Sequence, residues 1–227
     1  MKLRLKLILI SFFLFSTVTH AVSPGGITIG GTRLVYNGGK KEASINVSNS
    51  DKTPYLIQSW VEGDLGGGVK APFIVTPPLF RLDSDQQNML RVIRTGGNLP
   101  EDKESLFWLN VKSIPATTTT ETTNTLQIAV KTRIKLIYRP KNLKDDPLSM
   151  ANKLKWTENG DKITVINPTP YYMNFQEVNV GGKQLKNVNY VAPMSTVTFN
   201  SEGATGTITW KIITDYGGVS ESFGSGH

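Results

Sequence analysis

The sequence predicts an all-β protein built as two antiparallel sandwich domains, and three observations carry that reading. Short alternating or β-branched runs recur with turn signals between them, and no segment keeps a helical period. One run, Leu126–Pro140, alternates over about 15 residues, far beyond the usual strand of about 5–6. A polar stretch ending in proline, Lys141–Pro147, separates two such β series.

The first series comprises residues 27–36, 43–48, 55–62, 73–75, 89–95 and 105–113. Asn37-Gly38-Gly39, Asn49-Ser50-Asp51, Gly66-Gly67-Gly68 and Gly96-Gly97-Asn98 punctuate it. A single helical turn is expected around Pro100–Glu104. The second series opens with a hairpin, residues 154–156 and 163–166 around Asn159-Gly160, the strongest short hairpin signal in the chain. Residues 175–180 and 183–185 around Gly181-Gly182 form another, and residues 191–199 and 207–214 complete the set. The expected boundaries are an N-terminal domain at residues 22–140, a linker at 141–148 and a C-terminal domain at 149–227.

Residues 1–21 read as a removable export signal. Lys2, Arg4 and Lys6 precede an apolar run from Leu7 to Val18, and Thr19-His20-Ala21 gives a small-x-small cleavage site. About 12 apolar residues are too few to span a bilayer, so no membrane insertion is expected after cleavage. Loss of this segment removes three cations and lowers the formal charge from +7 to about +4.

Composition excludes much chemistry. The chain has no cysteine, hence no disulfide, thiolate metal site or cysteine nucleophile. Its two histidines, His20 and His227, lie in the signal and at the C-terminus, so the body lacks the usual general base and metal ligand. Asp83 with Asp85, and Asp145 with Asp146, sit in turn-like sequence and read as solvated loops. The Asn46-Val47-Ser48 sequon falls within a strand. Neither a catalytic constellation nor a cofactor site is expected, and an exported β-sandwich hydrolase would need a base this body does not readily supply.

The long run carries the functional signal. Leu126, Ile128, Val130, Ile134, Leu136 and Tyr138 share one face with Thr132; Gln127, Ala129, Lys131, Arg133, Lys135 and Arg139 share the other. Extended, it would reach roughly 50 Å, more than one sandwich face covers. The low-complexity loop Ala116–Thr125 leaves Leu126, Ile128 and Val130 without an obvious partner. An exposed oily edge is a liability unless another chain covers it. The basic face alone suits a solvated sheet, and it lacks the interleaved aromatics of a nucleic-acid strand reader, so no nucleic acid is expected.

Leu99–Ala116, LPEDKESLFWLNVKSIPA, followed by the LQIAV…RIKLIYRP strand, resembles the periplasmic pilus-assembly chaperones of the short-loop branch. Thr32-Arg33, Asn46-Val47-Ser48-Asn49, Thr76-Pro77-Pro78 with Arg81-Leu82, Asn167–Tyr172 and Asp215–Gly218 match in the same order. The resemblance implies two immunoglobulin-like domains set as a boomerang, and a periplasmic, non-enzymatic role in which pilin subunits are folded, capped by donor-strand complementation and delivered to an outer-membrane usher. By the same resemblance, Arg33 and Lys135 bind the subunit's C-terminal carboxylate, Leu126, Ile128 and Val130 enter its open groove, and Glu104, Arg139 and Asp215 form an interdomain charge network. A homodimer in which the oily edge caps itself is a further expectation. The rival reading is a fimbrial structural subunit or adhesin, which would be expected to lack its own last strand and carry an N-terminal donor extension.

Overall fold

The computed structural model describes residues 26–64, 71–116 and 126–225. The export signal, the Gly66–Gly68 insert and most of the threonine-rich loop lie outside the described residues. Two β-sandwiches follow one another along the chain.

In the first, β1 (Ile27–Ile29), β3 (Glu42–Asn49), β7 (Gln87–Arg94) and β5 (Phe73–Thr76) form one antiparallel sheet in that order. The facing sheet has the order β2 (Arg33–Asn37), β9 (Val130–Arg139), β8 (Ser105–Pro115), β4 (Tyr55–Gly63) and β6 (Leu79–Leu82). Its pairings are antiparallel except β2 with β9, which run parallel. The sequence predicts one strand over residues 27–36; the chain instead breaks at Gly30–Thr32 and changes sheet, so its halves pair with β3 and β9. Strand β6 carries too little alternation to be read from sequence.

Alternate residues fill the space between the sheets. Val47, Ile57, Leu90, Val92, Leu109 and Leu136 are each 0% exposed. At one end Tyr36, Phe73, Phe107 and Tyr138 pack as a chain of rings with centroids 4.9–6.2 Å apart. The expected helical turn at residues 100–104 is a series of bends. The short helix α1 (Pro147–Met150) lies instead at the end of the linker. Asp146 caps it by accepting from the Leu148 N–H at 2.9 Å, with Pro147 at the first turn.

In the second sandwich, β10 (Lys155–Asn159), β11 (Lys162–Asn167) and β15 (Ser195–Asn200) face β12 (Met173–Val180), which pairs with β16 (Ile208–Ile212), β13 (Lys183–Gln184) and β14 (Tyr190–Val191); β17 (Phe223–Gly224) joins β16. Gly160 closes the β10–β11 hairpin at φ +57°. Trp210, 1% exposed, anchors this core among Trp156 and Phe223. Fully buried Asn167 ties down the turn that follows it: its amide donates to the Tyr171 and Ala192 carbonyls at 2.7 and 2.9 Å, and its Oδ1 accepts from the Thr169 N–H and hydroxyl. That turn presents Tyr171 and Tyr172 to the first domain.

Candidate functional site

The expected 15-residue strand is shorter in the ladder. Residues 126–129 lie outside it, and β9 begins at Val130, opposite Ser113. Pairing with β8 stops there, although β8 itself runs on to Pro115 against β4. On the other side of β9, β2 pairs only with Lys135–Arg139. Residues 130–134 therefore keep one edge without a strand neighbour among the described residues.

The oily face divides at the same place. Ile134, Leu136 and Tyr138 enter the sandwich core. Leu126, Ile128 and Val130 stay in solvent at 87%, 64% and 54% exposure. Three aliphatics thus lie along an unsatisfied backbone edge, the arrangement that recruits another strand.

The opposite face of β9 carries its cations toward the second domain, each against a ring. Lys131 lies 5.0 Å from the Trp60 ring centroid and pairs with Glu62 at 3.5 Å. Arg133 stacks on Trp108 at 4.1 Å, and Lys135 lies 4.5 Å from the Tyr190 ring. Ile137 belongs to this face yet is 2% exposed, and neither it nor its β8 partner Leu106, 5% exposed, belongs to a sandwich core. Tyr172 of the second domain lies against the Leu106 backbone.

The parallel register sets Arg33 directly opposite Lys135. Arg33 is 9% exposed; its Nη1 donates to the Ile213 carbonyl at 3.2 Å, while its buried Nε has no partner. Burial lowers its pKa, with Asp215 opposing. Burial, then the neighbouring Arg33 charge, pushes the Lys135 amine down to about 8, against a weaker pull from Asp64. Among the described residues neither cation makes an ion pair within 4 Å. Two adjacent, partly desolvated cations are thus left with donor capacity that an anion could use.

Four residues further along β9, Arg139 does have its acids. Its Nε donates to Glu104 Oε1 at 2.6 Å, and its two terminal nitrogens grip Asp215 at 2.7 and 3.0 Å. Glu104 precedes β8 in the first domain and Asp215 follows β16 in the second, so one guanidinium bridges both. Glu104 also accepts from the Tyr172 N–H at 2.7 Å. Burial raises the Glu104 carboxyl to about 6, opposed by Arg139 and that N–H. For Arg139 burial works against the charge, but the Asp215 hydrogen bond and the Glu104 field outweigh it and raise the pKa. Gly217, at φ +83°, closes the turn that delivers Asp215, with its N–H on the Thr214 carbonyl.

Models of two families match the chain. Residues 26–144 match the pili and flagellar-assembly chaperone PapD N-terminal domain, and residues 149–223 match the pili assembly chaperone PapD C-terminal domain. The chain belongs to the pilus-assembly chaperone family. Chaperone protein FocC of Escherichia coli is 42% identical over 224 residues, 96% of this chain and 97% of that protein. Among solved structures, a chain of the Salmonella enterica SafA pilin–SafB chaperone complex is 41% identical, covers 90% of this chain and 98% of its own, and superposes with a TM-score of 0.84. The periplasmic chaperone SfaE is 41% identical over 88% of this chain and 98% of its own, at a TM-score of 0.75.

Family membership fixes the fold as two immunoglobulin-like domains. Within it, sequence reasoning missed the second-domain side of the site. Asn174, Asn189 and Tyr190 surround Lys135, and Asp64 meets Tyr190 across the cleft. Only Tyr171-Tyr172 hinted at this side, through the motif they end. Among the described residues no helix is long and apolar enough to cross a membrane, and no group of three His, Cys, Asp or Glu stands ready for a metal ion.

Proposed function

We propose that this chain is a periplasmic chaperone that binds pilin subunits, lends them a strand and hands them to an outer-membrane usher. The observation that carries the reading is the exposure of Leu126, Ile128 and Val130 beside the unpaired edge of β9, with Arg33 and Lys135 at the far end of that edge. A pilin lacking its last strand exposes unpaired backbone groups and empty apolar pockets. Residues 126–134 supply both what the backbone lacks and what the pockets hold.

The two parts of the site have different tasks. Three aliphatics fully buried contribute very roughly 5–9 kcal/mol, against about 1.5–3 for a charge-assisted hydrogen bond. Insertion sets most of the affinity. The cation pair, reading a terminal carboxylate, sets the register, since a slip of one residue would present Gln127 and Ala129 to the pockets. The Arg139 network, by tying Glu104 to Asp215, holds the angle between domains.

The role is a binding role, and no catalytic step enters it. Without a subunit, the open edge is available to a second copy of this chain, giving a self-capped homodimer. Purification from periplasmic extract of a pilus-producing host should yield one pilin subunit per chain, identified by mass. Recovery of the chain without any subunit, under conditions where pilins are made, would refute the reading. Sedimentation should show a concentration-dependent dimer that dissociates when a subunit is added.

A further inference from the structure

Lys135 is held by the second domain. Its Nζ donates to Asn174 Oδ1 at 2.5 Å and to Asn189 Oδ1 at 3.2 Å, beneath the Tyr190 ring. All three partners belong to the second domain: Asn174 on β12, Asn189 and Tyr190 where the chain enters β14. Tyr190 is itself fixed from the first domain. Its hydroxyl donates to Asp64 Oδ2 at 3.3 Å, and Asp64 Oδ1 accepts from Trp108 Nε1 at 3.0 Å. This run of contacts crosses between the domains twice and shares no residue with the Arg139 network.

An ammonium has three donors, and amide oxygens occupy two of these. A carboxylate arriving between Arg33 and Lys135 draws on the same ammonium, with one donor left over. We propose that Asn174, Asn189 and Tyr190 form a clasp that competes with the pilin carboxylate for Lys135, so that subunit capture and release of the Asp64–Tyr190 bridge are one coupled event. The proposal rests on Arg33 and Lys135 being the carboxylate anchor. The exchange runs toward the subunit because a neutral amide oxygen gives way to a charged one. Until then the clasp keeps a half-buried ammonium hydrogen-bonded, and it lowers apparent affinity by the fraction of molecules in which it is closed. It also carries the signal of an occupied anchor to the second domain, since the residues displaced sit there.

The test uses the mature full chain and a peptide of about ten residues with alternating aliphatics, made with a free C-terminal carboxylate and as the C-terminal amide. Calorimetric titration compares wild type with Asn189→Ala, a change at an exposed side chain, and Tyr190→Phe, which keeps the ring but loses the Asp64 hydrogen bond. Both variants should bind the free acid about three- to tenfold tighter, the loss of roughly one competing hydrogen bond, with the amide unchanged. Wild-type or weaker binding of the acid by both variants, while wild type still prefers acid to amide, would overturn the clasp. If wild type makes no distinction between acid and amide, the anchor reading fails, and the clasp fails with it.

Discussion

Arg33 and Lys135 face each other across the parallel pairing of β2 and β9, two cations side by side at the point where the open edge of β9 ends. Burial, and then the neighbouring Arg33 charge, depresses the lysine. Replacing either by Ala should weaken binding of a pilin C-terminal strand by about 1.5–3 kcal/mol, tenfold or more, in calorimetric titration. The loss should vanish against a peptide ending in an amide. Equal losses for acid and amide would remove the carboxylate from the model.

Affinity should also depend on pH through Lys135. Only the protonated amine donates to a carboxylate, and in the free chain its pKa lies at about 8. Binding should hold steady below that value and fall as pH rises through it, by up to tenfold per unit. Complex formation near pH 8 should therefore take up protons, which titration in buffers of different ionisation enthalpy measures directly. Lys135→Met should abolish the uptake.

Leu126, Ile128 and Val130 contribute little to the fold of their own domain. At exposures of 54–87%, truncation to Ala should change the chaperone's own unfolding free energy by less than about 0.5 kcal/mol. Each truncation should nonetheless cost the complex about 1–2 kcal/mol. Urea denaturation of the free chain and titration with a pilin strand separate the two effects.

Arg139→Ala should behave in the opposite way. Its Glu104 partner has a side chain only 1% exposed, so removing the guanidinium strands a buried carboxylate. A loss of about 3–5 kcal/mol in urea denaturation is expected. Arg139→Lys keeps the charge but cannot serve Glu104 and both Asp215 oxygens at once, and should fall between.

Gly217→Ala tests the turn behind Asp215. A Cβ there meets Thr32 Oγ1 at 2.9 Å, and φ is +83°. Because Thr32 belongs to the first domain, the strain acts between the domains. Stability should drop by more than about 1 kcal/mol, and Thr32→Ala should recover part of it.

How much of this was legible in sequence follows from the range of each interaction. The two faces of residues 126–139 are a local, period-two signal, and so is the Asn159-Gly160 hairpin. Where β9 begins is not local: its ladder with β8 opens at Val130, opposite Ser113, although the alternation runs back to Leu126. Nor is the change of sheet at Gly30–Thr32, since the same residues would alternate equally well in one strand. Ile137 shows the limit most plainly. It lies on the cationic face, yet it is 2% exposed and belongs to neither sandwich core. The resemblance to a family located Arg33, Lys135 and the Glu104–Arg139–Asp215 set, which no spacing rule connects. Asn174 and Asn189 reach Lys135 only through the packing of one domain on the other, and their sequence surroundings carry no mark of it.

The parallel pairing has a consequence for biogenesis. Arg33 and its register partner Lys135 are separated by about a hundred residues of chain, and such long-range closure is slow to form. Strand β2 has β9, the last strand of its domain, as its only sheet partner among the described residues. The two cations therefore come together only when the whole first sandwich has closed, and no partial fold of it sets them side by side.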